Sequence, residues 1–122
     1  MNWDKYENFS ASEFQCSCCK TDGMDELFMD KLQAIRTRLK VPMKITSGYR
    51  CPDYDWKIGG KGNHTTGRAV DIQVPLDKVH DLVRLAAPSM TGIGVKMKGP
   101  QGGRFIHLDD LVNDNRPRVW SY

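Results

Sequence analysis

Apolar residues recur along this chain at two different periods, and the switch between them marks the elements. After Met24, the residues Leu27, Phe28, Leu32, Ile35 and Leu39 follow at steps of mostly three and four, the stripe of an amphipathic helix. The turn Thr21-Asp22-Gly23 leads into that helix, and Val41-Pro42 stops it. A shorter helix is predicted over Asp77 to Ala87, where Leu76, Val79, Leu82, Val83 and Ala86 keep helical spacing and Pro88 closes the run. Strand-like segments are Met43 to Thr46, Ala69 to Val74, Gly92 to Val95 and Phe105 to Leu108. Near the start, N-F-S-A-S-E-F reads as a helix entry, with Glu13 the capping-box partner of Ser10. Cys51 to Asn63 is rich in Pro, Asp and Gly and reads as loop with one helical turn. The residues after Asp109 read as an irregular tail ending R-P-R-V-W-S-Y. Helices interleaved with short strands predict an α+β fold, a small, mostly antiparallel sheet with flanking helices.

Length and charge narrow the classes. The 122 residues show no compositional break, so one domain spanning 1–122 is expected, with a lean core at 39% hydrophobic content. The formal charge of +3 is spread along the chain, and basic and aromatic residues do not alternate, which argues against nucleic acid as a partner. No segment is long and apolar enough to span a membrane, and M-N-W-D-K-Y-E-N-F-S does not read as a secretory signal. The expected state is a monomer made in the cytoplasm. Four cysteines, Cys16, Cys18, Cys19 and Cys51, leave three readings open: packed thiols, a bridge from one of the first three to Cys51, or a structural metal.

The chemistry-bearing residues fall in two clusters. His64 and Asp71 frame H-T-T-G-R-A-V-D, and F-I-H-L-D brings His107 and Asp109 after a long gap. Imidazole, carboxylate and a distant imidazole form the ligand set of a catalytic zinc site, three protein ligands with one position left open. In a strand, His107 and Asp109 point to one face and Ile106 and Leu108 to the other. Gly67 permits a sharp turn that draws His64 towards Asp71. By itself the H-x6-D spacing is loose, and a lone histidine is more often a surface or satisfied core residue. His80, on a helix beside Asp81 without a ligand partner in register, reads as solvated.

With these residues in order the chain resembles the M15 family of zinc D-Ala-D-Ala carboxypeptidases and related phage endolysins, in its small single-domain branch. The resemblance runs through N-F-S-A-S-E-F-Q-C, D-K-L-Q-A-I-R, I-T-S-G-Y-R-C-P, N-H-T-T-G-R-A-V-D-I, F-I-H-L-D and R-V-W-S-Y. It implies a hedgehog/D-Ala-D-Ala-peptidase-like fold and one Zn2+ held by His64, Asp71 and His107. It implies that Arg50 steadies a substrate carbonyl or carboxylate, with Ser47 and Tyr49 supporting its loop. The implied reaction is hydrolysis of a peptide bond in bacterial peptidoglycan, by an endolysin or a virion-associated lysin acting after release or within a particle. One position departs from the pattern: many members carry an acidic base three residues before the last zinc histidine, and Arg104 stands there. Asp109 is the best local carboxylate for the base role, with support of a ligand or arginine as its other role; Asp110 is a weaker candidate. A zinc-binding module without hydrolysis and a structural component of a phage particle are the alternatives.

Overall fold

A computed structural model describes residues 1–122. Its centre is one five-stranded sheet in the order β1-β2-β4-β3-β5, formed by β1 (Lys44–Ser47), β2 (Ala69–Gln73), β3 (Gly92–Lys96), β4 (Phe105–Asp109) and β5 (Arg118–Ser121). Neighbours pair antiparallel except β3 and β5, which are parallel. The helices are α1 (Glu26–Leu39), α2 (Pro52–Lys57) and α3 (Val79–Ala86), so the architecture is the expected small α+β fold with a mostly antiparallel sheet.

Alternation along the three central strands divides the sheet into a wet and a dry face. Val70, Ile72, Ile93, Ile106 and Leu108 join one buried cluster with Phe28, Leu32 and Ile35 of α1 and Leu82 and Ala86 of α3. The intervening positions Asp71, Gly92, Gly94, His107 and Asp109 belong to the opposite face, which carries the polar chemistry.

α1 begins later than the apolar stripe. The Asp25 carboxylate accepts a bond from the Phe28 amide at 2.9 Å and caps the helix there, one residue beyond Met24. That start puts Met29 in the core and leaves Leu27 65% exposed, a correction to the predicted stripe. Nearer the N-terminus the predicted helix entry is a single 3₁₀ turn, Ala11–Glu13, with Glu13 accepting from the Ser10 amide at 2.8 Å. Cys51 to Asn63 contains α2, opened by Pro52 at its first turn.

The tail is not irregular throughout. Arg118–Ser121 adds β5 beside β3, with Ile93 opposite Val119 and Gly94 opposite Trp120. Gly94 is needed for that pairing, because a Cβ on it would lie 2.6 Å from the Trp120 indole nitrogen. Only four residues pair, and Val119 is exposed as on an edge strand, so the apolar alternation that would announce the strand is nearly absent.

Candidate metal centre

Strand register brings two of the three expected ligands together. Asp71 of β2 sits directly opposite His107 of β4, and its Oδ1 lies 3.1 Å from His107 Nδ1. His64 arrives from outside the sheet. It lies on a 3₁₀ turn, His64–Thr66, that ends in Gly67 at φ 75°. Any Cβ at Gly67 would meet the Gly23 carbonyl oxygen at 2.1 Å, so glycine is required both by the turn and by the close approach. His64 Nε2 then stands 3.4 Å from the same Asp71 oxygen. All three side chains are buried, and their donor atoms lie within 4.8 Å of one another.

The outer nitrogens of both imidazoles are occupied. His64 Nδ1 is 2.9 Å from the Gly48 carbonyl oxygen, and His107 Nε2 is 2.7 Å from Asp109 Oδ2. With an ion bound, each acceptor would take the N–H of its ring, leaving the lone pair of the other nitrogen to face the ion beside Asp71. Metal-binding histidines are oriented in this way, by an acceptor on the nitrogen that does not bind the ion. The donor set of two imidazoles and a carboxylate therefore fits a divalent metal of the zinc class.

Electrostatics binds the cluster together. Burial disfavours an ionised Asp71, but the hydrogen bonds from His107 and His64 outweigh it and hold its carboxyl well below the usual range. Burial lowers His107, whereas its bonds to Asp109 and Asp71 raise it, and the bonds prevail.

Arg50 reaches the same place from the loop after β1. Its Nε donates to Ser47 Oγ at 3.0 Å, Nη1 to Asp55 Oδ1 at 3.0 Å, and Nη2 approaches Asp71 Oδ2 at 3.5 Å. Three of the five guanidinium N–H groups are thereby placed, and two remain for a ligand. With His64, Asp71 and His107, Arg50 lines an open cleft whose rim includes Lys61, Asn63 and Tyr122.

Asp109, expected as the leading base candidate, occupies a different environment. It shares the face of His107 but is fully buried behind that ring. Arg116 donates Nε to Oδ1 at 2.9 Å and Nη2 to Oδ2 at 2.8 Å, while His107 and the Leu111 amide supply two further contacts. These four donors match the roughly four lone-pair sites of a carboxylate. Burial disfavours its charge, but His107 and Arg116 together hold Asp109 down to about 2. Asp71 is the sole carboxylate among the cleft-lining residues.

The remaining candidates lie elsewhere. Asp110 is buried in a separate ion network, bonded to Lys31 at 2.9 Å and to two nitrogens of Arg68 at 2.8 Å. Arg104 donates to the Gly99 carbonyl at 2.9 Å, and His80 is exposed on α3. Sequence reasoning missed Asp55, which anchors Arg50, and Arg116, which seals Asp109. It also missed Tyr122, which lines the cleft. The faint signal for the last two was R-x-R-x-W-x-Y, the alternation of a strand edge.

The order of these segments along the chain agrees with their meeting in space. A family model described as Peptidase M15 matches residues 7–109, which include every ligand candidate and Arg50. No curated protein matches the chain closely enough to count as a relative.

Proposed function

The chain belongs to the peptidase M15 family, and from that premise we propose that it is a zinc-dependent peptidase that hydrolyses peptide bonds in bacterial peptidoglycan. The observation that carries the reading is the convergence of His64 Nε2, Asp71 Oδ1 and His107 Nδ1, with both outer imidazole nitrogens already committed to acceptors. His64, Asp71 and His107 hold the ion, and zinc in that position supplies Lewis acidity and lets water ionise near neutral pH.

The other side chains have distinct tasks. Arg50, fixed by Ser47 and Asp55 at the cleft wall, directs its two free N–H groups to a peptide carbonyl or a terminal carboxylate. Asp109 is a positioning residue: it accepts the His107 Nε2 proton, fixes that tautomer and keeps Nδ1 free for the cleft. This assignment replaces the base role, because the Asp109 oxygens are saturated and sealed from the cleft. The substrate class and setting rest on the family resemblance. We infer a lysin of endolysin or virion-associated type, made in a host cytoplasm and acting on the wall after release or from a particle.

One observation favours a second reading, a zinc-binding module or particle component without hydrolysis: no carboxylate besides Asp71 lines the cleft to accept a proton. Incubation of the zinc-loaded protein with purified peptidoglycan, followed by mass spectrometry of released fragments, separates the two. New peptide ends that disappear with His64→Ala support the peptidase. Intact wall material at full zinc occupancy supports the binding module.

A further inference from the structure

All four cysteines of the chain meet at one point, in a group separate from the histidine cluster. Cys16, Cys18 and Cys19 come from the N-terminal segment, and Cys51 follows Arg50 directly. Their sulfur atoms lie within 4.8 Å of one another. Cys16 and Cys18 are 3.6 Å apart and Cys18 and Cys51 are 3.4 Å apart. A disulfide needs about 2.05 Å. A tetrahedron of sulfurs built on Zn–S bonds of about 2.3 Å has edges of about 3.8 Å. These two separations sit near the second value and far from the first.

The backbone around the cluster is arranged for thiolates. The Cys51 amide donates to Cys16 Sγ at 3.3 Å, a bond that favours sulfur in its charged form. The segment from Cys16 to Thr21 curls on itself, with the Lys20 amide donating to the Cys16 carbonyl at 2.8 Å and the Cys16 amide to the Thr21 carbonyl at 3.0 Å. Lys20 takes the left-handed conformation at φ 61°, which closes the curl and presents three cysteines on a short loop.

We propose that Cys16, Cys18, Cys19 and Cys51 bind a second zinc ion in a closed four-thiolate site. Four sulfur ligands fill the tetrahedron, so the site is structural, with no position left for substrate. Binding releases the thiol protons to solvent. Its effect is to tie the N-terminal segment to the loop that carries Arg50. The two already touch, since the Tyr49 amide donates to the Phe14 carbonyl at 2.8 Å and a Cβ on Gly48 would lie 2.7 Å from Phe14 backbone. The ion thereby fixes the residue next to Arg50 without entering the cleft.

The test uses the full chain carrying His64→Ala and His107→Ala, so that only the cysteine site is intact. Cobalt(II) added to this reduced protein is expected to bind at one ion per chain and to give the near-ultraviolet absorption of cobalt–thiolate charge transfer. All four thiols should then resist alkylation until a chelator is added. In a Cys18→Ser, Cys51→Ser protein with its histidines intact, the charge-transfer band should vanish. If that variant does not fold, the spectrum of the histidine variant decides. No charge-transfer band, thiols that alkylate freely with cobalt present, or an intact mass two hydrogens light for a disulfide would each overturn the proposal. None of these readouts involves hydrolysis, so cobalt bound through sulfur in the histidine variant, together with no cleavage by the parent chain, sinks the proposed function alone.

Discussion

The two sides of His107 carry the same residue type to opposite ends. On one side Asp71 shares the cleft with His64 and Arg50 and lies among the cleft-lining residues. On the other, Asp109 is closed in by Arg116 and the Leu111 amide. Gly92 seals it further, since a Cβ there would stand 2.3 Å from Asp109 Oδ1. Trp120 covers Gly94 nearby and stacks beneath the Arg116 guanidinium at 4.9 Å. Both carboxylates are held ionised, and both touch the same imidazole. Access separates the roles proposed for them: the carboxylate in the cleft is placed to share an ion, and the sealed one to orient the ring.

Substitutions on the two sides should therefore fail differently. The largest effect is expected for Asp71→Asn, which removes the one anionic group of the proposed ligand set. Zinc affinity should fall by more than the roughly 10–100-fold typical of supporting residues, as read by competition with a chromophoric chelator. Next is Arg50→Ala, where kcat/KM should drop on the order of 100-fold while zinc content stays full. Unchanged catalytic efficiency would remove Arg50 from the cleft's chemistry.

Asp109→Asn is the sharper probe of the comparison. It should weaken zinc binding roughly 10–100-fold by loosening the His107 tautomer. A loss of kcat with unchanged zinc affinity would instead mark Asp109 as the base. The smallest effect is on acid stability. Asp109 ionises near 2 in the folded chain against about 3.9 when unfolded. Its charge thus stabilises the fold above about pH 4, and the contribution, on the order of 2 kcal/mol, is lost as pH falls through 2. Denaturation of the metal-free protein at a series of pH values should show a shallower acid limb in Asp109→Asn than in the parent.

How far this was legible in the sequence depended on what each residue needed to declare itself. Period two in F-I-H-L-D gave the shared face of His107 and Asp109, and the positive φ of Gly67 is the turn its position called for. The strand pairing that sets Asp71 against His107 is a long-range fact, although both strands were visible separately. What local pattern could not reveal was how deep a side chain lies. Asp109 and Asp71 look equivalent as acidic residues on strands, and only Arg116, brought back by the tail, tells them apart. β5 escaped because a four-residue edge strand with exposed Val119 leaves almost no apolar period. The start of α1 was misjudged by two residues because Asp25 caps the helix more decisively than Met24 extends its stripe. The cysteines left three readings open, since their partners are decided by the docking of Phe14 on Gly48 and not by their spacing.

Which nitrogen of His107 faces the ion decides between these roles for Asp71 and Asp109. Diffraction from zinc-soaked crystals, with anomalous differences measured across the zinc absorption edge, reads this directly. A peak among His64 Nε2, Asp71 Oδ1 and His107 Nδ1, with Asp109 still bonded to Nε2, is the predicted result. A peak between His107 Nε2 and Asp109, or none within reach of the three ligands at saturating zinc, would contradict it.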